Sequence, residues 1–303
     1  MFNPYIKVKK LISSSLDIKC VKIVADTERK LRIMQLQNQV LSSVESGIVE
    51  NKYCEHDVII SLTSYGKRIY DVHLTIESLM QQTVKPNKII LWLSEDEFTP
   101  DNIPLTLKKL EKRGLTIEFC KDIRSYTKLV PALRKYPDDI IITVDDDIIY
   151  QFDLIENLLN SYKEDPKSIH FCRGHRMKIV NNVLLSYYKW NWFINDFNIN
   201  KLNFPTGVGG VLYPPHSLYF DVTDEKKFLS LAPFADDVWF KAMALLQGTL
   251  SKKVFTRSSI GEDYIDLISE IQMDTALFKV NILKNDEQIK AVFEKYSIYE
   301  LLN

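Results

Sequence analysis

Three carboxylates stand side by side at Asp145, Asp146 and Asp147, directly after the apolar run IIITV at 140–144. Adjacent carboxylates repel one another and hold their protons unless a cation neutralises them. Oxygen-only ligands suit Mg²⁺ or Mn²⁺, ions commonly shared with substrate phosphates, so the three aspartates are metal candidates. An acidic surface turn or a helix cap would use the same residue type, but the position behind so apolar a segment favours a site. A second acidic pair, Asp236 and Asp237, opens the segment ADDVWFKAMALL. A carboxylate there is suited to take a proton from a hydroxyl if partial burial lifts its pKa. Asp also caps helices and favours their first turn, so both roles stay open.

Other groups of chemical interest are more scattered. The stretch Thr63, Ser64, Tyr65, Gly66, Lys67 and Arg68 combines hydroxyls, a glycine and two cations, which suits a nucleotide diphosphate or else a solvated turn. Gly207, Gly209 and Gly210 would let backbone approach a sugar, or make a tight turn. Arg173, His175 and Arg176 would meet a phosphate or an acidic acceptor if they are not surface charge. Tyr187, Trp190 and Trp192 offer stacking faces to a sugar, or core.

The elements that must position these groups alternate. DVIISL at 57–62, KIILWL at 88–93, LTIEF at 115–119 and DIIITV at 139–144 read as short buried strands. Helix patterns fall at 71–82, 126–134, 154–162 and 237–246. Strands separated by helix-length segments imply βαβ units, hence an α/β fold with a mostly parallel sheet flanked by helices. In such a sheet ligands bind beyond the carboxyl ends of the strands, where the three aspartates follow the fourth. Ahead of this domain, Ile33, Met34, Val40, Leu41 and Val44 recur at helical spacing, with Asp26 as the expected N-cap. The expected division is a helical extension at 1–55, the α/β domain at 56–247 and a mixed tail at 248–303.

Composition narrows the partners. Lys plus Arg number 39 against 40 Asp plus Glu, a net charge of -1, so no global field attracts nucleic acid. The four cysteines are far apart with no CxxC pair, which fits a reducing compartment. Lys7, Lys9 and Lys10 interrupt the N-terminus, so no signal peptide is expected, and no apolar run reaches a membrane span. A cytoplasmic protein is expected, with peripheral docking at the inner membrane face helped by those lysines.

The block VDDDIIY at 144–150 resembles the DxD motif of GT-A-fold glycosyltransferases, with Asp145 and Asp147 as its two carboxylates. VIISLTSYGKRIYDVHLTIESLMQQTVKP is similar to the first strand, loop and helix of family 2-like bacterial members, and FPTGVGGVLYPP and ADDVWFKAMALL follow in the family's order. DDDIIY also resembles the N-acetylglucosaminyltransferase of heparosan-type capsules. The resemblance covers roughly 58–247 and implies a GT-A-like fold and transfer from a nucleotide-sugar, a UDP-sugar, to a growing capsular, lipopolysaccharide or lipid-linked glycan. It implies Mn²⁺ or Mg²⁺ on Asp147 with Asp145 beside it, and Asp145 and Asp146 close to the donor. Thr63, Ser64, Tyr65, Arg68, Asp122 and Lys128 would also bind the donor. Asp237, with Asp236, would be the base or orient the sugar, and Arg173, His175, Gly209, Gly210 and Trp190 would meet the acceptor. Relatives often draw a third metal ligand, frequently His, from a later segment; no His follows His216 here. Inverting and retaining courses both stay open. A haloacid-dehalogenase-like phosphatase would carry its nucleophilic Asp after the first strand, not the fourth, although GEDYID at Gly261 loosely resembles its later motif. A glycan-binding scaffold would not need two acidic constellations.

Overall fold

The β-branched runs become the centre of one sheet. In the computed structural model β1 (Val58–Thr63), β2 (Lys88–Ser94), β3 (Leu115–Cys120) and β4 (Ile140–Thr143) lie parallel in the order β4-β1-β2-β3. Residues 4–257, 263–267 and 278–302 are described, without the side chains of 4–19, 21, 22 and 278–283. Ile60 sits in register between Ile89 and Ile142. All four residues of β4 are buried, as expected of a parallel strand covered on both faces.

Short strands follow: β5 (Ile148–Tyr150), β6 (Ile169–Phe171), β7 (Gly174–Arg176), β8 (Ile179–Val180), β9 (Val183–Leu184), β10 (Asn203–Pro205), β11 (Val211–Tyr213), β12 (Ser251–Lys253) and β13 (Tyr264–Asp266). Among the described residues the main sheet has seven strands, ordered β12-β6-β11-β4-β1-β2-β3. β11 alone runs antiparallel to its neighbours, so β6 points the same way as β4. The carboxyl ends of β1, β4 and β6 therefore share one edge, and the turn leading into β11 meets them there.

α1 (Pro4–Ser42) forms a unit by itself. In the second unit helices flank the sheet: α2 (Val72–Met80), α3 (Leu105–Glu111), α4 (Val130–Lys135) and α5 (Leu154–Glu164). Every residue of α2 is buried, including Glu77. Its carboxylate is held by a two-pronged ion pair from Arg113, itself 6% exposed. Removing either partner would strand a buried charge. The helix expected at 126–134 is divided into a 3₁₀ turn, Arg124–Lys128, and α4. Pro131 falls in the first turn of α4, where its missing N–H costs no hydrogen bond.

Three boundaries differ from the sequence expectation. α1 begins well before Asp26, which is an exposed interior residue rather than a cap. The chain divides into compact units at Ser43 and Val44, because residues after 43 are bonded into the α/β unit: Gly47 N donates to Arg113 O (2.8 Å) and Val49 N to Pro86 O (3.0 Å). The segment after Gln247 is more than a tail. It supplies β12 at the sheet edge and, after α6 (Glu225–Leu231) and α7 (Asp236–Gln247), the helix α8 (Phe278–Lys295), whose Val292 and Phe293 join the core beside Trp239. Gly248 ends α7 with φ 78°, the left-handed cap that glycine adopts without strain. No described helix is long and apolar enough to cross a membrane. The side chains of Lys7, Lys9 and Lys10, and Gly261, lie outside the described residues.

Candidate active site

A cleft of about 390 Å³ opens at the edge where β1, β4 and β6 end. The three aspartates after β4 enter it with different tasks. Asp146 is 6% exposed, and its two carboxylate oxygens accept hydrogen bonds from Ser64 Oγ (2.6 Å) and Arg68 Nη1 (2.7 Å). Thr75 Oγ1 donates to its carbonyl (2.9 Å). Asp146 therefore ties the β4 loop to the β1 loop while still lining the cleft. Asp145 and Asp147 keep more exposure. Arg68 reaches Asp147 Oδ2 at 3.0 Å, and Lys128 Nζ reaches Asp145 Oδ1 at 3.1 Å. Burial, reinforced by the charges of Asp145 and Asp146, pushes the Asp147 carboxyl up to about 6.

Across the cleft, Asp236 and Asp237 start α7. Lys128 bridges the two acidic clusters, lying 3.3 Å from Asp236 Oδ2 as well as against Asp145. Burial alone would lower its pKa, but Asp145, Asp236 and Asp237 drive it well above the usual lysine value. Asp237 is raised from the ordinary carboxylate range by burial and then by the charge of Asp236, with Lys128 opposing. Its Oδ1 accepts from Gly207 N at 3.1 Å. A Cβ on Gly207 would collide with Lys128 Nζ, so this glycine, which lines the cleft, makes room for the lysine.

The third wall follows β6. His175 is pushed down to about 4 by burial and by Arg173. Phe193 N donates to its Nδ1 at 3.2 Å, which leaves the proton on Nε2. His175 is thus a neutral, stacked ring, 4.7 Å from the Trp192 ring, and not a cation for phosphate. Arg173 lines the cleft and lies 4.5 Å from the Phe193 ring centroid. Arg176 points elsewhere, bound to Asn203 and Asp196.

Thr63, Tyr65, Arg68, Lys128, Asp145, Asp146, Asp147, Arg173, His175, Asp236 and Asp237 therefore converge on one cleft. Five expected residues do not line it. Ser64 is sealed beneath Asp146. Asp122 accepts from Arg124 N (2.7 Å) and shapes a turn. Trp190 is core, donating to Leu185 O (2.8 Å), and Trp192 takes the cleft instead. Gly209 and Gly210 have φ 95° and 102°, so they serve the turn into β11. His216 pairs with Asp138 ahead of β4, at the opposite end of that strand from the aspartates.

Sequence reasoning missed Asp266 and Asn285, which also line the cleft. Asp266 arrives because β13 pairs with β5, and Leu267 N donates to Asp147 O at 2.8 Å. Asn285 comes from α8, which is anchored to two walls: Asp286 accepts from Tyr187 N and Gln288 from Phe234 N. Neither arrival had a local signal. Among the described residues no group of three or more His, Cys, Asp or Glu is arranged to hold a metal ion. Two hard carboxylates, one of them raised by burial and by the charge of the other, still suit a divalent ion that takes its other oxygens from phosphates and water.

No family model matches the chain, and no curated protein matches it. Among solved structures it is similar to a mannosyltransferase from Pyrobaculum calidifontis in complex with GDP-Man and Mn²⁺, at 13% identity and TM-score 0.33, covering 50% of this chain and 45% of that one. It is similar to CMP:2-keto-3-deoxy-manno-octonic acid synthetase complexed with CTP at 12% identity and TM-score 0.41, covering 74% and 98%. A third likeness is to S. aureus TarS 1–349, at 12% identity and TM-score 0.45, covering 80% and 70%. The chain spans less than half the length of the mannosyltransferase. The mannosyltransferase is by its description a glycosyltransferase, the kind that the sequence resemblance names. At TM-scores from 0.33 to 0.45 no functional step rests on them.

Proposed function

We propose that the protein is a glycosyltransferase that moves a sugar from a UDP-sugar onto a growing bacterial surface glycan, free or lipid-linked, at the cytoplasmic face of the membrane. One observation carries the reading: a single cleft at the strand ends holds Asp145 and Asp147 on one side, Asp237 on the other, and Lys128 between. The arrangement separates a diphosphate-binding side from a proton-accepting side.

Asp147 and Asp145 would hold Mn²⁺ or Mg²⁺, which when bound neutralises charge on the departing diphosphate. Arg68 and Lys128 supply fixed positive charge close to the same place, and Tyr65 and Thr63 line the donor side. The bond from the anomeric carbon to the diphosphate oxygen breaks, and a bond to the acceptor oxygen forms. In an inverting course the hydroxyl proton passes to Asp237, whose raised pKa suits a base near neutral pH. In a retaining course Asp237 orients the sugar instead. The NMR configuration of the product's anomeric carbon separates the two. Calorimetry of UDP binding with Mn²⁺ and with EDTA tests the donor side, and equal affinity in both would remove the metal from the proposal. A UDP-sugar panel then identifies the donor.

A further inference from the structure

A small hairpin beside the cleft gives one face to the core and leaves the other without a role in the proposed chemistry. β8 and β9 pair only with each other, with Ile179 opposite Leu184 and Val180 opposite Val183. Asn181 and Asn182, at φ 51° and 60°, make the two-residue turn that matches strand twist. Because side chains alternate across a strand, the two faces separate. Ile179 and Leu184 pack against the core, while Val180 and Val183 project together, 44% and 61% exposed. Tyr188 adds a ring that is 65% exposed, and Lys189 Nζ lies 5.5 Å from its centroid. Lys178 and Lys189 are exposed at the two ends of the feature.

Charge says what this apolar tip meets. From Arg173 to Asn195 the sequence carries four cations, Arg173, Arg176, Lys178 and Lys189, and no Asp or Glu, in a chain whose charges otherwise balance at 39 against 40. Arg176 is paired with Asp196 and Arg173 faces the cleft, so the two lysines are the cations displayed with the valines. Asp286, the carboxylate from α8 that reaches this segment, is turned onto Tyr187 N. An aqueous protein partner does not call for exposed valines ringed by lysine and tyrosine. A bilayer interface does: it takes shallow apolar insertion, an aromatic ring at headgroup depth and lysines on anionic headgroups.

We infer that the hairpin 178–189 is a docking element for an anionic lipid bilayer. Tyr187, next in sequence to Tyr188, lines the cleft, so docking sets the acceptor wall against the headgroups. That consequence rests on the glycosyltransferase reading with a lipid-linked acceptor; the docking itself does not.

The test is co-sedimentation of the full chain with vesicles of phosphatidylcholine alone and of phosphatidylcholine mixed with phosphatidylglycerol. Wild type should bind the mixed vesicles and release them as salt is raised. K178Q and K189Q should each weaken that binding roughly fivefold. V180N with V183N should weaken it further, and all these exposed variants should keep wild-type melting and UDP affinity. Wild-type partitioning by the hairpin variants overturns the inference and transfers any membrane contact to α1. Absence of binding by wild type overturns it as well. Vesicle binding that depends on the hairpin, in a protein that does not bind UDP, upholds the docking element and removes the donor reading instead.

Discussion

The two acidic clusters look alike in sequence, yet the structure uses them differently. Around Asp145–Asp147, one cation, Arg68, is shared by Asp146 and Asp147, and Asp146 is consumed in joining two loops. Asp236 is ion-paired with Lys128, borrowed from the 3₁₀ turn before α4 and shared with Asp145. Asp237 accepts a hydrogen bond from Gly207 N and stands in the first turn of α7. The first cluster is thus an anchored carboxylate flanked by two that can take a cation. The second is an ion-paired carboxylate beside one raised toward a base. Proximity of charges does not assign roles; the placement of the neutralising cation does.

The largest expected effect tests the base. Asp237→Asn keeps an oxygen for Gly207 N but cannot take a proton, so transfer should fall by about 10²–10⁴-fold with UDP affinity and melting temperature nearly unchanged. Near-normal transfer would erase the distinction between the clusters. Lost UDP affinity would move Asp237 to the donor side.

Next is the anchor. Arg68→Met leaves Asp146 buried without its cation, and should cost about 3 kcal/mol in denaturant unfolding. A cost below about 0.5 kcal/mol, the usual level of a surface change, would show that Asp146 is no anchor.

A smaller effect lies in pH dependence. Burial and the neighbouring carboxylates push the Asp147 carboxyl up to about 6, above the usual carboxylate range, so the folded chain holds a proton that the unfolded chain has already lost. Stability in EDTA should therefore fall as pH rises from about 4 to about 6, by on the order of 2 kcal/mol from this group. Asp147→Asn should remove that part of the slope, and an unchanged slope would place the strain elsewhere. Smallest is Asp122→Ala. It loses only the turn bond to Arg124 N, worth about 1 kcal/mol, and should leave UDP affinity intact. A large loss of UDP affinity would return Asp122 to the donor site.

Much of the frame was legible. The runs around Ile59, Ile90 and Ile141 are so apolar and β-branched that only buried parallel strands absorb them, and Asp145 at the end of such a run had to face the ligand edge. The cleft walls were less so. Trp190 and Trp192 follow an irregular turn, where no periodicity tells core from cleft. Asp146 reads like its neighbours until Ser64 and Arg68 arrive from 82 and 78 residues away.

Sequence by itself determined the four parallel strands at the centre of the sheet and the edge at which chemistry must sit, because hydrophobic period and strand–helix alternation are local properties. Only tertiary structure decided which carboxylate is anchored, which cation bridges the clusters, why Gly207 is glycine, and that Asp266 and Asn285 complete the cleft. Each of those depends on contacts between segments distant in the chain. Burial and the nearest opposite charge, which set the state of a carboxylate, do not exist until those segments meet.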